Sequence, residues 1–125
     1  MQIYRVRTGN FDTMKLILFL LALPLLNNTC NKNKTAIPPC IKEKIEAIKK
    51  EPKWNPPAEV NEYIYKDKRV FLFSSNCCDQ YNNLYDKDCN IICAPSGGYT
   101  GKGDNKCNDF FPAAKHVRLV WKDDR

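Results

Sequence analysis

The sequence predicts an α+β domain: one N-terminal amphipathic helix packed on a four- to five-stranded antiparallel sheet, braced by disulfides. Three observations predict it. A stripe of isoleucines at helical spacing follows a Pro-Pro pair, and β-rich runs recur in pairs around polar turns. Seven Cys in 125 residues is high for a reducing cytosol. The length accommodates one domain plus a leader, which excludes a large multi-domain enzyme and a multi-span membrane protein. Charged residues at 27% beside 43% hydrophobic residues suit a folded globule.

The first element is a leader. Residues 16–26 read LILFLLALPLL without a charge, and Lys15 directly precedes them. The run is shorter than the roughly 20 apolar residues of a spanning helix and matches the apolar region of a signal peptide. Residues 1–29 are therefore expected to be a signal peptide, with Met14 the initiator and residues 1–13 an extension upstream of it. Cys30 follows the apolar run, as the acylated Cys of bacterial lipoproteins does, although Asn27, Asn28 and Thr29 depart from the usual small residue before that Cys. Lipidation is expected at Cys30, with residues 30–37 a polar tether. The membrane is then a partner through an N-terminal lipid anchor and the location is the cell envelope; simple secretion or a periplasmic location is the alternative. Without residues 1–29 the formal charge falls from +6 to +4, with signs interspersed. No basic block of the nucleic-acid-binding type is left.

Residues 38–125 are expected to form the domain. In CIKEKIEAIKKE, Ile41, Ile45 and Ile48 fall on one helical face and the charged residues on the other. Pro38 and Pro39 suit its first turn and Pro52 stops it. Trp54 follows in a loop, where it reads as a plug, with ligand stacking the alternative. Tyr63 to Tyr65 and Val70 to Phe73 flank the polar turn Lys66-Asp67-Lys68, a hairpin. Leu84 and Tyr85, a turn DKDCN, and Ile91 to Cys93 make a second, shorter one. A short helical turn is expected over residues 110–115, capped by Asn108 or Asp109, before the alternating edge or closing strand HVRLVW.

If Cys30 is acylated, six candidates for disulfides are left: Cys40, Cys77, Cys78, Cys89, Cys93 and Cys107. Their connectivity stays open, and three bridges are expected. Neighbouring Cys77 and Cys78 are expected to reach two different partners, because the ring joining them directly is strained. Zinc is disfavoured by the spacings and by a single His, His116.

Loop 95–107 is the unusual segment. Ser96, Gly97, Gly98, Tyr99, Thr100, Gly101, Lys102, Gly103 and Asp104 form the candidate recognition loop. Its glycines suggest a phosphate cradle, but Ser96 and Gly103 stand where the P-loop pattern needs Gly and Ser/Thr. The simpler reading is a Gly-rich loop pinned near Cys93 and Cys107. Asp86, Asp88 and Asn90 resemble the opening of a calcium loop, but Ile91 stands where its Gly is needed, so a turn is expected. The Asp123-Asp124 pair is expected at a mobile terminus. No catalytic constellation, no metal site and no cofactor is indicated.

The elements NCCDQYNNLYD, NIICAPSGGYTGKGDNKC, DFF and LVWKDDR resemble a family of small domains of unknown function found in lipoproteins of the Bacteroidota. The resemblance covers about residues 40–125 and implies an exported or lipid-anchored envelope protein, with no established activity to carry over. That family tends to hold Gly where this chain has Cys89, which puts the pairing of Cys89 in question. The expectation is a non-enzymatic module that presents loop 95–107 to a protein or glycan. Two alternatives are a small metal-dependent or hydrolytic enzyme using Asp104, Asp109, His116 and the loop glycines, and a purely structural envelope protein.

Overall fold

The computed structural model describes residues 36–125. The signal peptide, Met14, Cys30 and most of the tether lie outside the described residues. Helix α1 (Pro39–Lys49) opens on its prolines and buries Ile41, Ile45 and Ile48. Strands β1 (Glu59–Tyr65) and β2 (Lys68–Phe73) are joined by a two-residue turn, in which Lys66 and Asp67 both take positive φ. That is the turn whose twist matches paired strands, and it shortens the expected three-residue turn by one. Strands β3 (Tyr81–Asp86) and β4 (Ile91–Gly97) form the second hairpin. A short helix α2 (Phe110–Ala113) then leads to β5 (Lys115–Lys122). The sheet is antiparallel with five strands in the order β4-β3-β2-β1-β5.

Strand periodicity assigns the two faces of the sheet. On one face Val60, Phe71 and Phe73 meet the isoleucine stripe of α1 in one core cluster. On the other, Tyr65, Val70 and Leu84 meet Cys93, Cys107 and Phe110. The helix is thus one outer layer, and the segment from the Gly-rich loop through α2 covers part of the opposite face.

Two bridges close these layers. Cys40 of α1 joins Cys89 in the β3–β4 turn, and Cys93 joins Cys107 across the loop. Cys77 and Cys78 are both exposed and belong to neither bridge. Among the described residues there are thus two bridges where three were expected, and there neither neighbour reaches a distant partner. The physical reason is placement: both sit in the exposed turn between β2 and β3, away from the four cysteines buried or half-buried at the two layers. Cys89 does pair, and its φ of 65° explains why Gly suits that position. A left-handed backbone costs a side-chain-bearing residue about 1–2 kcal/mol, and here the Cys40 bridge holds the residue there.

Polar groups staple the same frame. Glu62 of β1 is buried and accepts from Arg69 of β2 at 2.6 Å and Arg118 of β5 at 2.8 Å, tying three strands together. Burial pushes its carboxyl up, but the two guanidinium hydrogen bonds outweigh this and hold it below its ordinary value. The C-terminal segment is also fastened, contrary to the mobile end expected. Asp123 is buried and grips the Arg125 guanidinium at 2.8 and 2.9 Å, while Arg125 donates to the Lys49 carbonyl at 2.6 Å. Arg125 thereby satisfies a carbonyl left open at the end of α1.

Candidate binding groove and loop

A groove of about 450 Å³ runs between α1 and the β2–β3 end of the sheet. Lys44, Ala47 and Ile48 line it from the helix, and Glu51 and Trp54 from the following loop. Ser74, Ser75 and Asn76 line it after β2, and Gln80, Tyr81, Asn83 and Tyr85 from β3 and its approach. The size lies within the usual range for small-ligand sites, about 300–1,000 Å³.

Local sequence explains the lining. The helix ends before Pro52, so Trp54 turns back over the α1 core, where it is half-buried and donates its indole N–H to Glu51 at 2.9 Å. Trp54 is therefore the expected plug and a groove wall at once. The Tyr85 ring lies edge-on to Phe73 at 5.2 Å, with the Lys44 ammonium 4.4 Å from its centroid. Ser75 N–H donates to Asn82 Oδ1 at 2.7 Å, and Asn82 donates to Ser96 at 3.0 Å, so the rear of the groove is cross-linked to β4.

Loop 95–107 is divided by the structure. Ser96 and Gly97 belong to β4, Gly98 and Gly103 are buried, and residues 99–102 form an exposed apex with Tyr99 at 91% exposure. A phosphate cradle needs free N–H groups, and four of the loop's backbone N–H groups are committed to carbonyls. Gly98 N–H donates to the Gln80 carbonyl, Gly101 to Gly98, Gly103 to Gly97 and Asp104 to Ala94, all at 2.9–3.0 Å. Gly97, Gly98 and Gly103 serve close packing instead: a Cβ at Gly98 would fall 2.5 Å from the Tyr81 ring. Tyr81 therefore leans on the loop while lining the groove, which joins the two candidate regions into one surface.

The residues considered for catalysis do not converge. Asp109 occupies the cap position of α2, yet its carboxylate turns to the Tyr65 hydroxyl at 2.6 Å and Lys66 at 3.3 Å. The Tyr65 hydrogen bond, with Lys66, holds Asp109 below its ordinary value. His116 pairs with Asn61 at 3.1 Å and meets the Tyr63 ring edge-on, while Asp104 accepts from the Lys106 N–H at 3.0 Å. In the calcium-like segment, both Asp86 oxygens are committed to the backbone and side chain of its own turn: Asp88 N–H, Asn90 N–H and the Asn90 amide, each at 2.9 Å. Among the described residues no group of three His, Cys, Asp or Glu side chains is placed to hold a metal ion.

Residues 46–123 match the family described as a domain of unknown function (DUF6970). The chain belongs to that family. No curated protein and no solved structure matches it. The DUF6970 match begins within α1 and ends at Asp123, so it takes in the whole sheet, the loop and the groove lining apart from Lys44. Sequence reading singled out the loop and passed over the groove. Asn83, Gln80 and Lys44 carry no motif; only the α1–β3 packing brings them together.

Proposed function

We propose that this DUF6970 chain is an exported, lipid-anchored envelope protein whose domain binds a glycan in the α1–β3 groove. One observation carries the binding half: the groove combines aromatic side chains, Trp54, Tyr81 and Tyr85, with amides and hydroxyls of Ser74, Ser75, Asn76, Gln80 and Asn83. Sugars present apolar C–H faces and hydroxyls that both donate and accept. Aromatic rings serve the former, and Asn, Gln and Ser offer donors and acceptors to the latter. Lys44 and Glu51 place one charge of each sign in the lining, which favours a neutral ligand over a polyanion. The exposed apex at Tyr99 and Lys102, joined to the groove through Tyr81, extends the recognition surface.

Export and anchoring rest on other support. The charge-free run at residues 16–26 precedes Cys30, and two disulfides suit an oxidising compartment. No described helix is long and apolar enough to cross a membrane, and the proposed attachment is through Cys30. Intact-mass measurement of the mature protein tests this: a diacylglyceryl group on Cys30 is expected, and an unmodified Cys30 overturns the anchor.

Binding is tested by screening the domain against a panel of soluble oligosaccharides and titrating the hits by calorimetry. Trp54→Ala and Asn83→Ala are expected to weaken a hit at least about tenfold, with the exposed Leu119→Ser as a control that leaves it unchanged. No binding across the panel by the folded domain, or binding insensitive to both groove variants, overturns the reading.

A further inference from the structure

Four of the six cysteines in the described residues are bridged, and two are not. The unbridged pair is consecutive, exposed and already approximated: Cys77 Sγ lies 3.0 Å from Cys78 Sγ. A disulfide bond is about 2.05 Å long, so closing the pair asks for a displacement on the order of 1 Å. The turn that carries them is shaped to hold this approach. Gln80 N–H donates to the Cys77 carbonyl at 3.0 Å, and the Ser75 hydroxyl donates to the same oxygen at 3.2 Å.

We propose that Cys77 and Cys78 form a reversible dithiol–disulfide site that exchanges with an external disulfide, of a small thiol or of a thiol oxidoreductase. Neighbouring Cα atoms stand about 3.8 Å apart across a trans peptide, below the 4.4–6.8 Å common for disulfides. A bridge between neighbours is therefore strained and more easily reduced than an ordinary structural bridge. That is the behaviour of a labile site, in contrast to the two bridges that join the layers.

The thiols are not equivalent. The Cys78 thiol hydrogen bond, backed by the local backbone N–H groups, holds Cys77 below a thiol's ordinary value, and Cys78 is raised in turn. Both sulfurs are exposed and 3.0 Å apart, so either can attack while its neighbour resolves. The lowered Cys77 favours the order in which Cys77 attacks first. Cys77 thiolate attacks one sulfur of the external disulfide, forming a mixed disulfide and expelling the first thiolate. Cys78 then loses its proton and attacks Cys77 Sγ, expelling the second thiolate. The protein thiols lose two electrons and two protons; the external disulfide is reduced to two thiols.

The site adjoins the groove. Asn76 precedes the pair and Gln80 follows it by two residues, and both line the groove. Ring closure between neighbours rotates the backbone of this turn and moves that rim. The thiol chemistry is independent of the glycan reading, and its test uses no sugar.

The full chain, with its two bridges intact, is equilibrated in glutathione buffers of graded ratio, acid-quenched, alkylated and weighed. Loss of two hydrogens is expected as the buffer becomes oxidising, and proteolysis should place the new bridge within the peptide holding both Cys77 and Cys78. Cys78→Ser should instead accumulate a glutathione adduct on Cys77. In the wild-type chain, whose folding is not at issue, amide resonances of residues 76–81 should shift on oxidation while those of α2 stay in place. Alkylatable Cys77 and Cys78 at every ratio, stable glutathione adducts on the wild type, or a bridge from either residue to Cys30 would each overturn the proposal.

Discussion

The two faces of the sheet are covered in different ways. On one, α1 lays a stripe of three isoleucines on Val60, Phe71 and Phe73, and its end is held by Arg125 and its start by Cys40. On the other, the cover is mostly loop: Phe110 is the single large apolar anchor, and glycines let the chain lie flat on β3 and β4. A helix satisfies its backbone internally and needs only an apolar stripe to dock. A loop has no such ladder, so it is held by specific N–H donations to Gln80, Ala94 and itself, and by the Cys93–Cys107 bridge. The groove lies on the helix side because a cylinder on a twisted sheet leaves a gap at its edge, whereas the loop follows the surface.

The bridges offer the largest test of this contrast. In the chain-entropy account, the Cys40–Cys89 bridge, with 49 residues of separation, should contribute about 4 kcal/mol, and Cys93–Cys107, with 14, about 3 kcal/mol. Paired Cys→Ala variants measured by denaturant unfolding should follow that order. A larger loss for the loop bridge would show that the loop cover depends on its staple more than the helix does. Combining Cys40→Ala with Cys89→Gly rather than Cys89→Ala should recover about 1 kcal/mol, because Gly relieves the positive φ once the bridge is gone.

Glycine substitutions probe the loop side alone. A Cβ at Gly103 would meet the Ala94 carbonyl oxygen at 1.9 Å, while one at Gly101 meets nothing within 4 Å, and both residues have positive φ. Gly101→Ala should cost about 1 kcal/mol from backbone strain. Gly103→Ala should cost more, roughly 2–3 kcal/mol or beyond, because the carbonyl must move. Equal melting temperatures for the two variants would mean that the loop shifts freely over β4, against the tight cover described.

The smallest effect is electrostatic. Asp123 is pulled down to about 2, chiefly by its Arg125 hydrogen bonds. A carboxyl lowered on folding adds stability that is present above its unfolded value and is lost as pH falls through the folded one. The Asp123 contribution should therefore fade between about pH 4 and pH 2, and Asp123→Asn should flatten the stability profile in that window. Asp109, on the loop side and more exposed, is lowered as well, and Asp109→Asn should change the profile less. A larger change for Asp109→Asn would place the acid-sensitive contacts on the loop side.

Much of this fold was legible in the chain. The helix announced itself by Ile41, Ile45 and Ile48, and the strands by their alternation. The β1–β2 turn was visible in its polar residues, although positive φ at Lys66 and Asp67 has no Gly or Asn to signal it. Strand β4 ran further than expected, through Pro95 to Gly97, because an edge strand has a free side where a proline without N–H is tolerated. The buried end at Asp123 was missed: two adjacent acids read as solvated until Arg125 is placed beside one of them. Glu62 was passed over in the same way, since its two arginines lie on separate strands.

By itself, then, the sequence determined the class of the domain, its helix and its paired strands. Those follow from local periodicity and turn chemistry, which act between residues a few positions apart. Only the tertiary structure decided that Cys40 meets Cys89, that Cys93 meets Cys107 and that Cys77 and Cys78 stand apart from both. It also decided that Trp54, Tyr85 and Asn83 face one groove. Such assignments depend on which distant segments pack together, and packing is set by the summed burial of both faces of the sheet rather than by any residue's neighbours in the chain.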